Sequence, residues 1–354
     1  MCALRWSWSF GNEDLTDLSA MGWGSSNPAS GWLTLTSDSD KVYSYTGSPT
    51  RYGWIFDGYQ TFVGEGYFDL PVSVISGLGS GWIATPWKSA VSTGYTNDRV
   101  MIRVTGVSGE VIDIRINTTA TLSLYVSNTF KETTSAIDFT SWRYIALRWD
   151  MSGADTAGSW SGQIYVDGVA VTALNTQVDA AEVAATWRIG PGPARNNSPD
   201  AYCSQIIVWD SLADSGETPY YATRVEPIAN GTNIGTWTPN SGSDDYAVVA
   251  SPLDVTTFTE DSNASPSDRV EVVSSHISAS IGIVPNTIVG VTGHTFSDGQ
   301  SVTSRTIISP SGGTEVSGSG VLISSGTVSY TFATDDGTYL SSDSVDLIYE
   351  IVST

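Results

Sequence analysis

The sequence predicts an all-β protein built from antiparallel sheets. Apolar and polar residues alternate with a period of two in segments 6–10, 112–116, 122–126 and 345–351, and this spacing turns one face of a strand toward a core and the other outward. Only 15% of the 354 residues are charged, against about 25% in an average domain, while 35 glycines supply turns. The single stretch that favours a helix, residues 179–185, is short.

The segment after residue 226 is predicted to form short strands separated by turns. Residues 311–313 and 335–337 combine Gly with Ser or Asp, as turns require. Short strands at regular spacing are typical of a β-sandwich. The predicted strands are residues 246–249, 255–259, 270–273, 277–284, 287–292, 302–308, 321–323, 328–332 and 345–351.

A change in composition near residue 226 predicts two domains, residues 1–225 and 226–354. Residues 222–245 are rich in Pro, Gly, Asn and Ser, which form turns and linkers. The first segment holds 12 of the 13 Trp, with 13 basic and 22 acidic residues and a formal charge of −9. The second holds 2 basic and 15 acidic residues, a charge of −13. We expect the acidic Ser/Thr-rich domain to serve assembly or attachment.

The overall charge excludes several classes of partner. A net charge of −22 argues against nucleic acid and against anionic membrane surfaces, both of which need clustered Lys and Arg. No apolar run reaches the roughly 20 residues of a membrane helix, so no membrane insertion is expected. Residues 1–8 lack the apolar region of a signal peptide, and Cys2 and Cys203 are too few for a disulfide framework. We therefore expect synthesis in a reducing cytoplasm.

Four segments in the first half follow one another in a recognisable order. They are a Trp-led strand at residues 142–150, an aromatic-Val-Asp-Gly hairpin at 162–171, an Ile-Gly strand end at 187–190 and an apolar closing strand at 203–212. This order resembles the second half of a concanavalin A-like lectin/glucanase jelly roll of the laminin-G or pentraxin kind.

The resemblance implies a jelly-roll β-sandwich over residues 1–225. It places the closing strand at residues 206–209 beside the N-terminal strand at residues 6–10. The dipeptide Asp167-Gly168 is typical of a two-residue turn between strands. A chain in which such a domain precedes an acidic β domain resembles structural proteins of tailed bacteriophages, which implies a place on the virion surface.

Paired carboxylates would be required for glycan hydrolysis. Glucanases of this family use a Glu-x-Asp-x-x-Glu arrangement, which places alternate carboxylates in one cleft. The nearest pattern here is Glu110 and Asp113, whose spacing of three points the two side chains to opposite faces of a strand. Arg115 stands where a second carboxylate is needed. We therefore expect no catalytic residues.

Glycan binding would use exposed aromatic rings beside polar groups, because sugars present C–H faces and hydroxyl groups together. Trp82 lies in a Gly/Pro/Ser-rich region that also holds the candidates Trp87, Tyr95, Asn97 and Asp98. Other tryptophans are expected in the core of the sandwich. These are Trp6, Trp8, Trp142, Trp149 and Trp209.

Calcium is the other ligand to consider, since relatives of this kind often hold Ca²⁺ with Asp, Asn and backbone oxygens in loops. Asn196, Asn197 and Asp200 precede the closing strand, while Asp98 and Asp150 border other loops. Turn formation accounts for the same residue types. No cofactor is therefore certain, and Ca²⁺ stays an alternative.

These features predict a non-enzymatic bacteriophage virion protein, a tail or tail-fibre component whose jelly roll binds a host surface glycan. Its other partners would be virion proteins and sister copies in a closed homo-oligomer, with a trimer expected. A capsid or neck decoration protein and a polysaccharide depolymerase stay open as alternatives. A cell-surface adhesion module is a third, and it should carry a signal peptide.

Overall fold

The computed structural model describes the chain most fully between residues 67 and 217. The described residues are 4–8, 23–26, 33–36, 53–56, 67–75, 77–89, 99–190, 201–203, 205–213, 216–217, 229–230, 238–239, 259–260, 267–272, 291–297, 302–310, 316–317, 321–323, 327–333 and 345–353.

These residues form one short helix and a long series of strands. The helix, α1, is Val72–Ile75. The strands up to residue 209 are β1 (Leu4–Trp8), β2 (Gly24–Ser26), β3 (Leu33–Thr36), β4 (Gly53–Phe56), β5 (Tyr67–Asp69), β6 (Ser80–Ser89), β7 (Arg99–Gly106), β8 (Val111–Ile116), β9 (Leu122–Val126), β10 (Thr129–Thr133), β11 (Arg143–Asp150), β12 (Ser159–Val166), β13 (Val169–Ala170), β14 (Asn175–Val178), β15 (Ala184–Ile189), β16 (Ala201–Cys203) and β17 (Ile206–Trp209). The later strands are β18 (Ala229–Asn230), β19 (Thr238–Pro239), β20 (Thr259–Glu260), β21 (Ser267–Val272), β22 (Val291–Ser297), β23 (Val302–Pro310), β24 (Val316–Ser317), β25 (Val321–Ile323), β26 (Thr327–Ala333) and β27 (Val345–Ser353).

Strands β1–β17 form two antiparallel sheets. The seven-stranded sheet has the order β10-β9-β8-β7-β15-β5-β2. The ten-stranded sheet has the order β13-β12-β11-β6-β16-β4-β3, with β14 paired to β12. In this sheet β6 is long enough to pair with two short strands end to end, β16 and β17, and β17 in turn pairs with β1.

One apolar core lies between these two sheets. Ile112, Ile114 and Ile116 of β8 are fully buried in it, as their alternation predicts. Trp149 of β11 and Trp187 of β15 meet across it edge to face, with ring centroids 5.2 Å apart. The predicted fold class, an all-β protein with sandwich sheets, is therefore confirmed.

The expected pairing of the closing strand with the N-terminal strand is also confirmed. β1 and β17 are antiparallel, with Trp6 opposite Val208. Trp6 and Trp149 are buried in the core as predicted. Trp209 is also buried, but on the outer face of the ten-stranded sheet and not in the core between the sheets, so its predicted place is wrong. The prediction for Trp142 is wrong, because this residue precedes β11 in the bend that leads into the strand and is only half-buried. The side chain of Trp8 lies outside the described part of the chain.

Two tight turns join neighbouring strands. Asp167 and Gly168 link β12 to β13 with φ angles of 50° and 83°, which is the two-residue turn that the dipeptide predicts. Ser127 and Asn128 link β9 to β10 with φ angles of 47° and 56°. The second turn has no glycine, and the sequence did not predict it.

Residues 179–185, the one stretch whose composition favours a helix, do not form one. Residues 179–183 belong to no helix or strand, and β15 begins at Ala184. Hydrogen bonds to distant parts of the chain hold this stretch in place. The Glu182 carboxylate accepts hydrogen bonds from the backbone N–H (2.9 Å) and the hydroxyl group (2.8 Å) of Ser108. The Ala184 N–H donates a hydrogen bond to the Leu78 carbonyl. The helix that does form, α1, was not predicted. Within the described ranges, no helix has the length and apolarity needed to cross a membrane.

Strands β18–β27 form separate sheets after residue 229. Six of them make a sheet of order β18-β21-β27-β23-β24, with β25 also on β23, while β19 pairs with β20 and β22 with β26. The strands predicted at 302–308, 321–323, 328–332 and 345–351 are confirmed as β23, β25, β26 and β27. β21 and β22 agree in part with predicted segments 270–273 and 287–292, and of 255–259 only Thr259 is described, in β20. Segments 246–249 and 277–284 lie outside the described residues.

A second apolar cluster lies on the ten-stranded sheet, on the face that points away from the core. Its side chains alternate along the strands with core residues such as Ile83. A Cβ on Gly216 would lie 2.4 Å from Trp82 Cγ, so the turn at Gly216 rests directly on the indole ring and requires glycine there. The cluster consists of Trp82, Ala84, Tyr144, Ala146, Ile207 and Trp209, with Tyr165 packed against it.

An ion pair borders this outer cluster. Arg148 donates through Nη2 to Asp155 Oδ1 at 2.7 Å and through Nη1 to the other carboxylate oxygen, which also accepts from the Ser161 hydroxyl. The hydrogen bonds from Arg148 hold the pKa of Asp155 below its ordinary value, against the opposing effect of burial. The same hydrogen bond raises the pKa of Arg148.

We expect Asp155→Asn to lower the free energy of unfolding at neutral pH by about 2 kcal/mol, the usual worth of hydrogen bonds to a charged group. Because folding lowers the pKa of Asp155, its ionised carboxylate stabilises the folded protein fully at pH values above 3.8, the ordinary pKa. This stabilisation is lost as the pH falls through the lower pKa of the folded state. Urea unfolding of both proteins should therefore show a difference that shrinks below pH 3.8. A difference that is the same at every pH would contradict this role.

Candidate functional site

The structure describes one of the seven residues predicted to bind a glycan or calcium. Trp87 lies in β6, fully buried in the core between the sheets. Its indole faces inward and offers no surface on which a sugar could stack, so the prediction of Trp87 as a binding residue is wrong. The other six lie outside the described residues and stay predictions. They are Tyr95, Asn97, Asp98, Asn196, Asn197 and Asp200.

Asp150, a possible calcium residue, forms a turn instead. Its carboxylate is fully buried, accepting hydrogen bonds from the backbone N–H groups of Ser152 and Asp155, both at 2.8 Å, and from the Ser152 hydroxyl at 2.6 Å. These bonds shape the bend after β11, as Asp commonly does. Among the residues that the structure describes, no group of three or more His, Cys, Asp or Glu side chains could hold a metal ion.

A continuous row of charged and aromatic residues crosses the outer face of the seven-stranded sheet. Each member lies directly opposite the next on the neighbouring strand. Five strand spacings of about 4.8 Å give this row a length of roughly 24 Å. In order along the row the residues are Asp69, Arg188, Arg103, Asp113, Tyr125 and Phe130, and we call them the charged row.

The centre of the charged row is a carboxylate held by two arginines. Asp113 Oδ2 accepts from Nη2 and Nε of Arg103 at 2.7 and 3.0 Å. Arg115, two positions along β8, donates to both carboxylate oxygens at 3.0 and 3.1 Å. Asp113 is fully buried, whereas the arginine side chains are 26% and 24% exposed. The guanidinium groups therefore cover the carboxylate and present their remaining surface to solvent.

Ring stacking fixes both ends of the charged row. At one end the Arg115 guanidinium carbon lies 3.7 Å from the centre of the Tyr125 ring, and Phe130 packs edge-on against Tyr125 at 5.7 Å. At the other end Arg188 pairs with Asp69 at 2.8 Å and stacks on Tyr67 at 3.4 Å. Stacking and ion pairing together restrict each arginine to one orientation.

The alternation of residues in β8 is a sequence signal for this face. Asp113 and Arg115 alternate with Ile112, Ile114 and Ile116 in β8, so both must point outward. In the structure Arg115 forms an ion pair with Asp113. Arg188, on β15, joined the row only through strand pairing, which the sequence does not specify.

A pair of carboxylates lies elsewhere, among the loops at one end of the sandwich. The Ser127 hydroxyl lies between Glu110 Oε2 and Asp179 Oδ2, bringing together the turns before β8, before β10 and after β14. A hydrogen bond shared with Glu110, and after it the one from the Ser127 hydroxyl, lower the pKa of Asp179. Glu110 therefore does not act with Asp113 but belongs to a separate acidic cluster.

Comparisons with known proteins give no family. No protein-family model matches this chain, and no curated protein matches it. Among solved structures, a Trypanosoma rangeli sialidase in complex with sialic acid is 11% identical over 48% of this chain and 27% of that chain, with a TM-score of 0.35. The binding domain of Paraclostridial Mosquitocidal Protein 1 is 9% identical over 61% and 50%, with a TM-score of 0.38. The cellulose-induced protein Cip1 is 12% identical over 58% and 97%, also at 0.38.

This chain spans less than a third of the length of the sialidase structures. At these identities and TM-scores, the likenesses carry no conclusion about function, and the same fold in any case supports unrelated activities. The functional argument therefore rests on the side chains of the site itself.

We expect Asp113→Asn to lower the free energy of unfolding by about 2–3 kcal/mol, because it leaves two neighbouring guanidinium groups without their shared buried carboxylate. Asp69→Asn is the matched control, since Asp69 pairs with one arginine and is 23% exposed, and should cost less than about 1 kcal/mol. Denaturant unfolding compares the two variants. Equal losses would show that the central pair has no special role.

Proposed function

We propose that the sandwich of strands β1–β17 is a carbohydrate-binding module whose ligand lies along the charged row. The observation that carries this proposal is an outward-facing line of aromatic rings and orientationally fixed polar groups on one sheet face. Sugars bind to such surfaces because their C–H faces stack on rings while their hydroxyl groups take hydrogen bonds. Rigid side chains reduce the entropy that binding would cost.

The aromatic end of the row is accessible. Phe130 is 53% exposed, although large apolar side chains usually avoid water. On the same face, Thr133 is exposed, and its hydroxyl group lies 3.1 Å from that of the buried Ser123. An exposed ring and an exposed hydroxyl group on one face support recognition of a sugar.

The proposed module binds without chemistry. Hydrolysis by glycosidases needs one carboxylate to act as an acid and another as nucleophile or base. On the charged row, Asp113 is buried under Arg103 and Arg115, and Asp69 is paired with Arg188. Asp113 has no exposed surface and the partly exposed Asp69 is engaged by Arg188, so the row presents no pair of free carboxylates to a substrate.

Phe130→Ala should weaken binding to a bacterial surface polysaccharide about tenfold. Removal of an exposed stacking ring is expected to cost about 1.4 kcal/mol of binding free energy, which corresponds to a tenfold change in affinity. Val178→Ala is the control, because Val178 is 79% exposed on β14 of the other sheet. Purified lipopolysaccharides and capsular polysaccharides serve as probes in biolayer interferometry. Equal binding by wild type and the Phe130 variant, or no binding by either, would contradict the proposal.

We propose further that the protein is a structural component of a bacteriophage particle, in the tail or tail fibre, assembled as a homo-oligomer with three copies expected. The strong negative charge and the acidic segment that follows the sandwich support this placement, as does the resemblance carried by residues 142–217. A capsid or neck decoration protein is the alternative. Mass spectrometry of purified particles tests for a virion protein, and blocking of adsorption by the recombinant protein separates the tail role from decoration.

A polysaccharide depolymerase is the second candidate function, and one observation favours it. Glu110 and Asp179 share the Ser127 hydroxyl at a sandwich end. If the pair were catalytic, Glu110→Gln would abolish release of reducing sugar from a polysaccharide substrate. We expect no turnover by wild type or by Glu110→Gln in this assay. Turnover that is lost in the variant would replace our proposal with the depolymerase.

A further inference from the structure

Two arginines lie side by side in the middle of the charged row. Arg103 of β7 and Arg188 of β15 are directly opposite each other, and each binds its own carboxylate on the far side. Like charges at directly opposite positions of neighbouring strands repel. An anion at this point would relieve the repulsion, so the arrangement favours a negatively charged ligand.

The concentration of cations on this face contrasts with the rest of the chain. The protein has only 15 Lys and Arg against 37 Asp and Glu. The charged row and the adjoining Arg115 hold three arginines against two aspartates, Asp69 and Asp113. The charged row and Arg115 together therefore carry a net charge of +1 within a protein whose net charge is −22.

The arginines also retain donors for a ligand. Arg103 and Arg115 both use Nε and Nη2 on Asp113. Their Nη1 groups make no hydrogen bond to any other residue that the structure describes. Guanidinium groups prefer carboxylate and other oxyanions, which accept two parallel hydrogen bonds.

We propose that the ligand of the charged row is an acidic polysaccharide, in which carboxylate groups on the sugar bind Arg103 and Arg115 while sugar rings stack on Tyr125 and Phe130. This inference rests on the carbohydrate-binding function proposed above and specifies the chemical class of the glycan. The net negative charge of the protein argues against nucleic acid as the ligand. A polyanion of such high charge density would be repelled by the rest of the protein surface, beyond this one face.

The experiment uses hyaluronan and polysialic acid, each in its native form and after chemical reduction of its carboxyl groups to alcohols. The full chain should bind at least one native polysaccharide about tenfold or more tightly than its reduced form. Equal binding of both forms would overturn the acidic class while leaving carbohydrate binding intact. Binding to neutral polysaccharides only would also overturn the acidic class while leaving carbohydrate binding intact. Binding to no glycan at all would overturn the acidic class and the carbohydrate-binding function together.

Variants of Arg115 test whether this face is responsible. Arg115→Gln should weaken binding of the native acidic polysaccharide about tenfold and leave binding of its reduced form unchanged. Arg115→Lys keeps the charge and the Asp113 contact but loses the planar fork, so its affinity should be intermediate and its fold preserved. Arg143→Gln is the matched control, because it removes an arginine paired with Asp167 on the other sheet.

Thermal unfolding checks that each variant folds. If Arg115→Gln does not fold, the test rests on the affinity of Arg115→Lys for the native and the carboxyl-reduced form of each polysaccharide. An equal loss of native-polysaccharide binding in the Arg115 variants and in Arg143→Gln would show a general charge effect and overturn the assignment to this face.

Discussion

The apolar contact between the seven-stranded and ten-stranded sheets is the constraint on which the other features of the sandwich depend. Inward positions such as Ile114 and Trp149 must meet in one core, as the edge-to-face contact of Trp149 with Trp187 illustrates. Because side chains alternate along a strand, fixing the inward set also fixes which residues point outward. The strand register then lines up outward residues on six of the seven strands, and the charged row results from this alignment.

Burial of Asp113 determines the character of this row. A carboxylate removed from water needs charged partners, and Arg103 and Arg115 supply them from two adjacent strands. The arginines in turn pack on rings, with Arg115 on Tyr125. The same contacts that satisfy the buried carboxylate therefore hold cations and aromatic rings at fixed positions on an accessible face, which is the physical basis of the binding proposed here.

Local patterns in the sequence predicted the elements that depend on local physics. The alternation at residues 112–116 and the dipeptide Asp167-Gly168 became a strand and a tight turn, since both need only neighbouring residues. Predictions that depended on distant partners were less successful. Residues 179–185 have a composition that favours a helix, but hydrogen bonds to Ser108 and Leu78 hold them in a non-helical path. Trp87, predicted in a loop from its Gly- and Pro-rich surroundings, lies in the core.

The sequence by itself determined the all-β class, the outward direction of Asp113 and Arg115, and the absence of a glucanase carboxylate motif, because each follows from residue type and spacing. Tertiary structure alone decided that Arg188 stands opposite Arg103 and that Glu110 meets Asp179 rather than Asp113. The physical reason is that strand pairing and loop contacts join residues far apart in the chain, and no local preference specifies which of the many possible partners will face one another.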